Sequence, residues 1–103
     1  MTKGLGSDTI PTNLRLLLVL EEVARAGVPV TPTDVNIQLG LPKPTIHRLF
    51  ATLEDEGFLQ HDIDGRAYSP GHRFRHMATW VLSSLRIRAA RLAVLRKLSG
   101  TVG

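Results

Sequence analysis

Apolar residues recur at helical spacing in several stretches of this 103-residue chain, and Gly, Pro and capping residues punctuate the gaps between them. The clearest stretch runs from Gly40 to Leu53. Ile46, Leu49, Phe50 and Leu53 stand at i, i+3, i+4 and i+7, which places them on one stripe of a helix. At about 100° per residue, Pro44, Arg48, Ala51 and Thr52 fall roughly opposite that stripe, with Thr45 and His47 at its flanks. The helix is predicted over about 42–56, opened by Pro42, with no Ser, Thr, Asp or Asn to cap it. The amides of Lys43 and Thr45 are therefore available to an outside anion such as phosphate.

Upstream, a helix is predicted from about Asn13 to Ala26, ended by Gly27 as a C-cap. Its inward stripe reads as Leu16, Leu17, Leu20, Val23 and Ala24. Leu14 and Leu18 lie on the next face, either as ordinary exposed apolar residues or, the better explanation, as a dimer contact. Val28-Pro29-Val30 is extended. Thr31 is then an N-cap, Pro32 the first helical residue and Asp34 a capping-box partner, so a short helix covers about Pro32 to Leu39 and turns at Gly40-Leu41. Downstream, Phe58 to His61 and Ala67 to Ser69 flank an Asp64-Gly65 turn, a hairpin signal, and Pro70-Gly71 ends it. A further helix starts at His72, with Phe74, Met77, Ala78, Val81, Leu82 and Leu85 as its apolar stripe. Ser83-Ser84 offers a bend point, and helical pattern resumes from Ile87 to Leu98. Residues 1–12, with Gly4, Gly6, Ser7 and Pro11, read as a flexible arm. The fold class is thus mainly α with a small β-hairpin: a winged helix-turn-helix (13–70) followed by a linker helix (71–85).

Composition narrows the function. The absence of cysteine excludes a disulfide framework and thiolate metal sites. The apolar run from Leu14 to Leu20 is broken by Arg15 and too short to span a bilayer, and Met-Thr-Lys-Gly has no apolar signal core behind it, so a cytoplasmic protein with no membrane partner is expected. Residues 1–64 hold five Lys/Arg against all nine Asp/Glu, whereas 65–103 hold eight Lys/Arg and no acid. Such a tail faces either a polyanion or an acidic neighbouring domain. His72 and His76 are spaced i, i+4, yet no third ligand of suitable type is near in sequence, so no metal is assigned. No nucleophile elbow, phosphate loop or paired-acid motif is present. Neither an enzyme nor a cofactor is expected, and Glu54-Asp55-Glu56 reads as a solvated helix end.

A short helix anchored on one side and presenting Arg, Thr and His on the other suits a major groove about 12 Å wide. Arg48 can bond a guanine edge bidentately or clamp a phosphate, and its alternative is an ion pair with Asp55 or Glu56. Lys43 and Thr45 suit phosphate positioning; Pro44 and Thr52 share the outer face. His47 either touches DNA or sits half-buried beside Phe50. Arg66 at the wing tip would reach the minor groove or its phosphates. Thr33 contacts backbone phosphate or caps its helix. Met77, Trp80 and Val81 of the linker helix join Leu14 and Leu18 as dimer-interface candidates.

Leu39-Gly40-Leu41-Pro42-Lys43, Thr45-Ile46-His47-Arg48-Leu49, Thr52-Leu53, Gly57-Phe58 and Asp64-Gly65-Arg66-Ala67-Tyr68 together closely resemble the IclR family of bacterial transcriptional regulators. The resemblance runs from about Leu16 to Val102. It implies a homodimer that reads a pseudo-palindromic DNA operator, and a small-molecule effector bound only by a C-terminal domain absent from this chain. Residues 86–103 would then begin that truncated domain. Two positions depart from the family pattern. Pro44 replaces the usual Ser or Thr, and Asn36 stands where a small alanine packs the second helix against the third, so it needs a hydrogen-bond partner or an adjusted crossing. The competing reading is a winged-helix protein-interaction or scaffold module, which needs no basic recognition face.

Overall fold

The computed structural model describes residues 10–102, with side chains described as far as Ala93. A 3-10 turn at Thr12–Leu14 leads into α1 (Arg15–Ala26), α2 (Pro32–Leu39), α3 (Lys43–Asp55), β1 (Leu59–His61), β2 (Tyr68–Pro70) and α4 (His72–Val102). The chain is therefore mainly helical with a small antiparallel hairpin, a winged helix-turn-helix continued by a long helix, as the pattern predicts.

The start of α2 follows its capping signal. The Asp34 amide donates to the Thr31 hydroxyl at 3.1 Å, and the Thr31 amide donates to the Asp34 carboxylate at 3.1 Å, so two orphan donors are satisfied reciprocally. Gly40 closes α2 in the left-handed region (φ 65°), its amide donating to the Asn36 carbonyl at 2.8 Å. The core is then assembled from one face of each helix: Val19, Leu20 and Val23 of α1, Val35 and Leu39 of α2, Ile46, Phe50 and Leu53 of α3, with Leu41 and Leu59.

Two expectations change. The buried stripe of α1 is Leu16, Val19, Leu20 and Val23 rather than one including Leu17 and Ala24, which are exposed. Leu18, expected on a free face, leans against the core, while Leu17 is 60% exposed. A run with apolar residues at nearly every position fits several rotations of the helix, and packing against α3 selects one. The arm is also shorter than expected at its inner end. Ile10 is only 4% exposed and belongs to the core; residues 1–9 lie outside the described residues.

β1 and β2 pair antiparallel, Leu59 opposite Pro70 and His61 opposite Tyr68. Val30 bridges β2 separately: its amide donates to the Tyr68 carbonyl at 2.9 Å and its carbonyl accepts from the Tyr68 amide at 2.7 Å. The α1–α2 connection is thereby stitched to the wing. The base of the wing is tight. A Cβ on Gly71 would drive into the Gly57 carbonyl oxygen, so this crossing requires glycine. From there α4 continues unbroken through Ser83-Ser84, which are surrounded by good helix formers. Phe74 packs on the core, but every described residue from Arg75 to Ala93 is exposed.

Candidate nucleic-acid interface

Helix α3 has two chemically distinct sides. Ile46, Phe50 and Leu53 are buried and Leu49 half-buried, which fixes the rotation of the helix against the core. Lys43, Pro44, His47, Arg48 and Thr52 are all exposed as a result, and Thr45 is half-buried. His47 thus takes the exposed alternative rather than the place beside Phe50. Arg48 forms neither hydrogen bond nor ion pair among the described residues, and Glu56, one of its two candidate partners, is engaged by Arg73 instead. No side chain caps the start of α3 at Pro42 (φ −57°, ψ 144°), so its first amides take no side-chain acceptor. Thr33 is exposed on α2, and the capping role belongs to Thr31.

The turn between α2 and α3 answers the question posed by Asn36. Its side-chain amide donates to the Leu41 carbonyl at 2.8 Å, and its side-chain oxygen accepts from the Leu41 amide at 2.8 Å. Both polar groups of a half-buried carboxamide are satisfied by one backbone residue.

At the wing tip, the Asp62 amide donates to the Ala67 carbonyl at 2.7 Å and the Gly65 amide to the Asp62 carbonyl at 2.9 Å. The Asp64 carboxylate accepts from the amides of Arg66 (3.0 Å) and Ala67 (3.4 Å), which holds its pKa below the ordinary 3.8. This closed loop presents Arg66 to solvent, beside Ile63, which is fully exposed. No sequence pattern singles out Ile63, an apolar residue inside the predicted turn.

The base of the wing holds residues that local pattern does not single out. The Tyr68 ring lies 4.9 Å from Phe50 and 4.3 Å from His61, centroid to centroid, while its backbone pairs with Val30. Burial pushes the Tyr68 phenol above its ordinary pKa, and the charge of Glu54 adds to that. His61 Nδ1 meets the Glu54 carboxylate. Arg73 donates to the Glu56 carbonyl (3.1 Å) and carboxylate (3.2 Å) and lies over the Phe58 ring, while Arg75 donates to the Pro70 carbonyl at 2.7 Å. The acidic end of α3 is therefore a junction with the wing and α4 rather than a purely solvated terminus, and two arginines of the basic tail are spent within the domain. Arg86, Arg88 and Arg91 have no partner among the described residues; the side chains of Arg96 and Lys97 lie outside them. The His72 and His76 rings sit edge to face at 6.1 Å, and no group of three or more potential ligands gathers among the described residues. No helix there is long and apolar enough to cross a membrane. Leu14, Met77, Trp80 and Val81 are exposed.

The family model of the IclR helix-turn-helix domain matches residues 14–62, from α1 to the wing. The chain carries the helix-turn-helix domain of the IclR family. This IclR domain is similar to the probable transcriptional regulator SauR of Cupriavidus necator, 30% identical over 90 residues that make up 87% of this chain and 36% of that protein. It is also similar to the HTH-type transcriptional regulator KipR of Bacillus subtilis, 39% identical over 67% of this chain and 27% of that one. Among solved structures, an IclR homolog from Microbacterium sp. strain HM58-2 superposes with a TM-score of 0.64 at 28% identity, covering 78% of this chain and 33% of that one. The chain spans about a third of the length of the curated relatives it matches.

Proposed function

We propose that this chain is the DNA-binding part of a cytoplasmic transcriptional regulator that reads a pseudo-palindromic operator as a homodimer. The observation that carries the reading is the outer side of α3: Arg48 and Lys43 are exposed and uncommitted on a helix whose opposite side is locked into the core. In this reading α3 enters the major groove. Arg48 contacts a base edge or phosphate, Lys43 and Thr45 position the backbone, and His47, Thr52 and Pro44 line the rest of the contact, with Pro44 offering an apolar surface to a thymine methyl. Arg66 reaches the adjacent minor groove from the rigid wing tip, and Thr33 approaches a phosphate. Exposed Leu14, Met77, Trp80 and Val81 support self-association, and Leu17 replaces Leu18 as the second α1 leucine available to a partner. Residues 86–103 lead toward a C-terminal effector-binding domain, in keeping with the one-third coverage of the relatives. No observation favours a scaffold module over this reading.

Selection from a randomised duplex library at moderate salt, followed by mobility-shift titration of wild type and Arg48→Ala, tests the proposal. Enrichment of a palindromic site and a loss of about 1–3 kcal/mol of affinity on Arg48→Ala are expected. Salt-sensitive, sequence-blind binding that Arg48→Ala leaves unchanged would overturn it.

A further inference from the structure

The turn that joins α2 to α3 is three residues long, Gly40-Leu41-Pro42, and each residue is restrained differently. Gly40 holds a left-handed conformation, and Pro42 has its φ fixed at −57°. Leu41 lies between them with its side chain 4% exposed, so it is the anchor of the turn in the core. Its backbone amide and carbonyl, which point away from any helix ladder, are both taken by the Asn36 carboxamide at 2.8 Å each. Asn36 also contributes its own carbonyl to the Gly40 amide. One residue on α2 thus holds the first and middle residues of the turn that aims α3. No other side chain hydrogen-bonds this turn among the described residues, and α3 has no side-chain cap of its own.

We infer that Asn36 is a positioning residue for DNA recognition: its two bonds to Leu41 set the angle at which α3 leaves the turn, and so the register of Lys43 and Arg48 in the groove. The inference rests on the DNA-binding reading above. The leverage is considerable. Arg48 stands five residues beyond Lys43, about 7.5 Å along α3, so a tilt of about 10° at the turn moves its backbone by about 1 Å and swings its direction by the same angle. That exceeds the roughly 0.5 Å within which a binding constellation must be held, and bidentate base readout weakens. Nonspecific attraction to the phosphate backbone, which depends on charge more than on register, would survive.

The test compares wild type, Asn36→Asp and Asn36→Ala. Asn36→Asp preserves shape and the acceptor for the Leu41 amide, but turns a second acceptor toward the Leu41 carbonyl. Asn36→Ala removes both bonds and introduces the small residue typical of the family, and it decides the matter if the aspartate variant does not fold by circular dichroism. Two quantities are measured: hydrogen-exchange protection of the Leu41 amide in the free protein, and the ratio of affinities for the duplex enriched by selection and a scrambled duplex of the same composition. Leu41 protection is expected to fall in Asn36→Ala, which removes its acceptor, and the discrimination ratio to drop by about tenfold in both variants with scrambled-duplex affinity unchanged. A purely structural role would lower both affinities together through loss of folded protein, leaving the ratio intact. An unchanged ratio in folded variants overturns the inference while leaving the DNA reading standing, and so does unchanged Leu41 protection in Asn36→Ala. A wild-type protein with no discrimination to begin with overturns both, and is told apart by that control.

Discussion

Tyr68 connects three parts of the domain through one side chain and one backbone unit. Its ring touches Phe50 of α3 and His61 of the facing strand, and its amide and carbonyl pair with Val30. Because folding raises its pKa above 10.0, the folded state favours the neutral phenol. The resulting stabilisation is full below about pH 10 and is lost as pH rises through the elevated folded-state value. Chemical denaturation at pH 8 and pH 11 should therefore show wild type losing more stability between the two than Tyr68→Phe does. Equal losses would mean that the phenol titrates alike in both states. Asp64 works in the opposite direction, its contribution being present above the ordinary 3.8 and lost as pH falls through its lowered value. Sequence pattern gave no hint of Tyr68 as a hub, because its partners come from three separate elements and no periodicity links them.

At the scale of elements, legibility followed the locality of the determinant. The limits of α2 could be read from Thr31, Pro32, Asp34 and Gly40, since capping is a contact between near neighbours. This makes a clean prediction. Thr31→Ala should lower stability by about 1 kcal/mol in a denaturant titration, whereas Thr33→Ala, exposed and uninvolved in the cap, should stay within about 0.5 kcal/mol. Similar costs at the two positions would refute the assignment of the cap. The inward side of α3 was equally readable, its four apolar positions being set off by polar ones. α1 was not: the continuous run around Leu16 to Leu20 supports several inward faces, and only the position of α3 decides that Val19 is buried and Leu17 is not. For Asn36, the sequence posed the need for a partner, but the partner is a backbone unit whose position depends on the finished turn.

For the whole molecule, the dominant feature is the contrast between a packed winged domain and a helix that leaves it. α4 is tied down at its first turns by Arg73, Phe74 and Arg75, then runs on with Met77, Trp80, Val81, Leu82 and Leu85 uncovered. Apolar surface of this extent on one element is expected to be covered on association. Sedimentation equilibrium should find wild type dimerising, with Val81→Glu weakening the dimer by about tenfold or more. Because Val81 is 58% exposed, the same substitution should leave monomer stability within about 0.5 kcal/mol. A dimer indifferent to Val81→Glu would move the interface away from α4.

The exposure of Trp80 also decides how the protein reports on itself. It is the sole tryptophan, 65% exposed, and it stands on α4 rather than in the core. Its indole emission will be that of a water-bathed ring while the helix is bare, and will shift to shorter wavelength whenever something covers that face. Unfolding of the winged domain, by contrast, passes almost unseen in the same signal. The molecule thus carries a built-in optical probe of what binds its long helix, and a blind spot toward the stability of its own core.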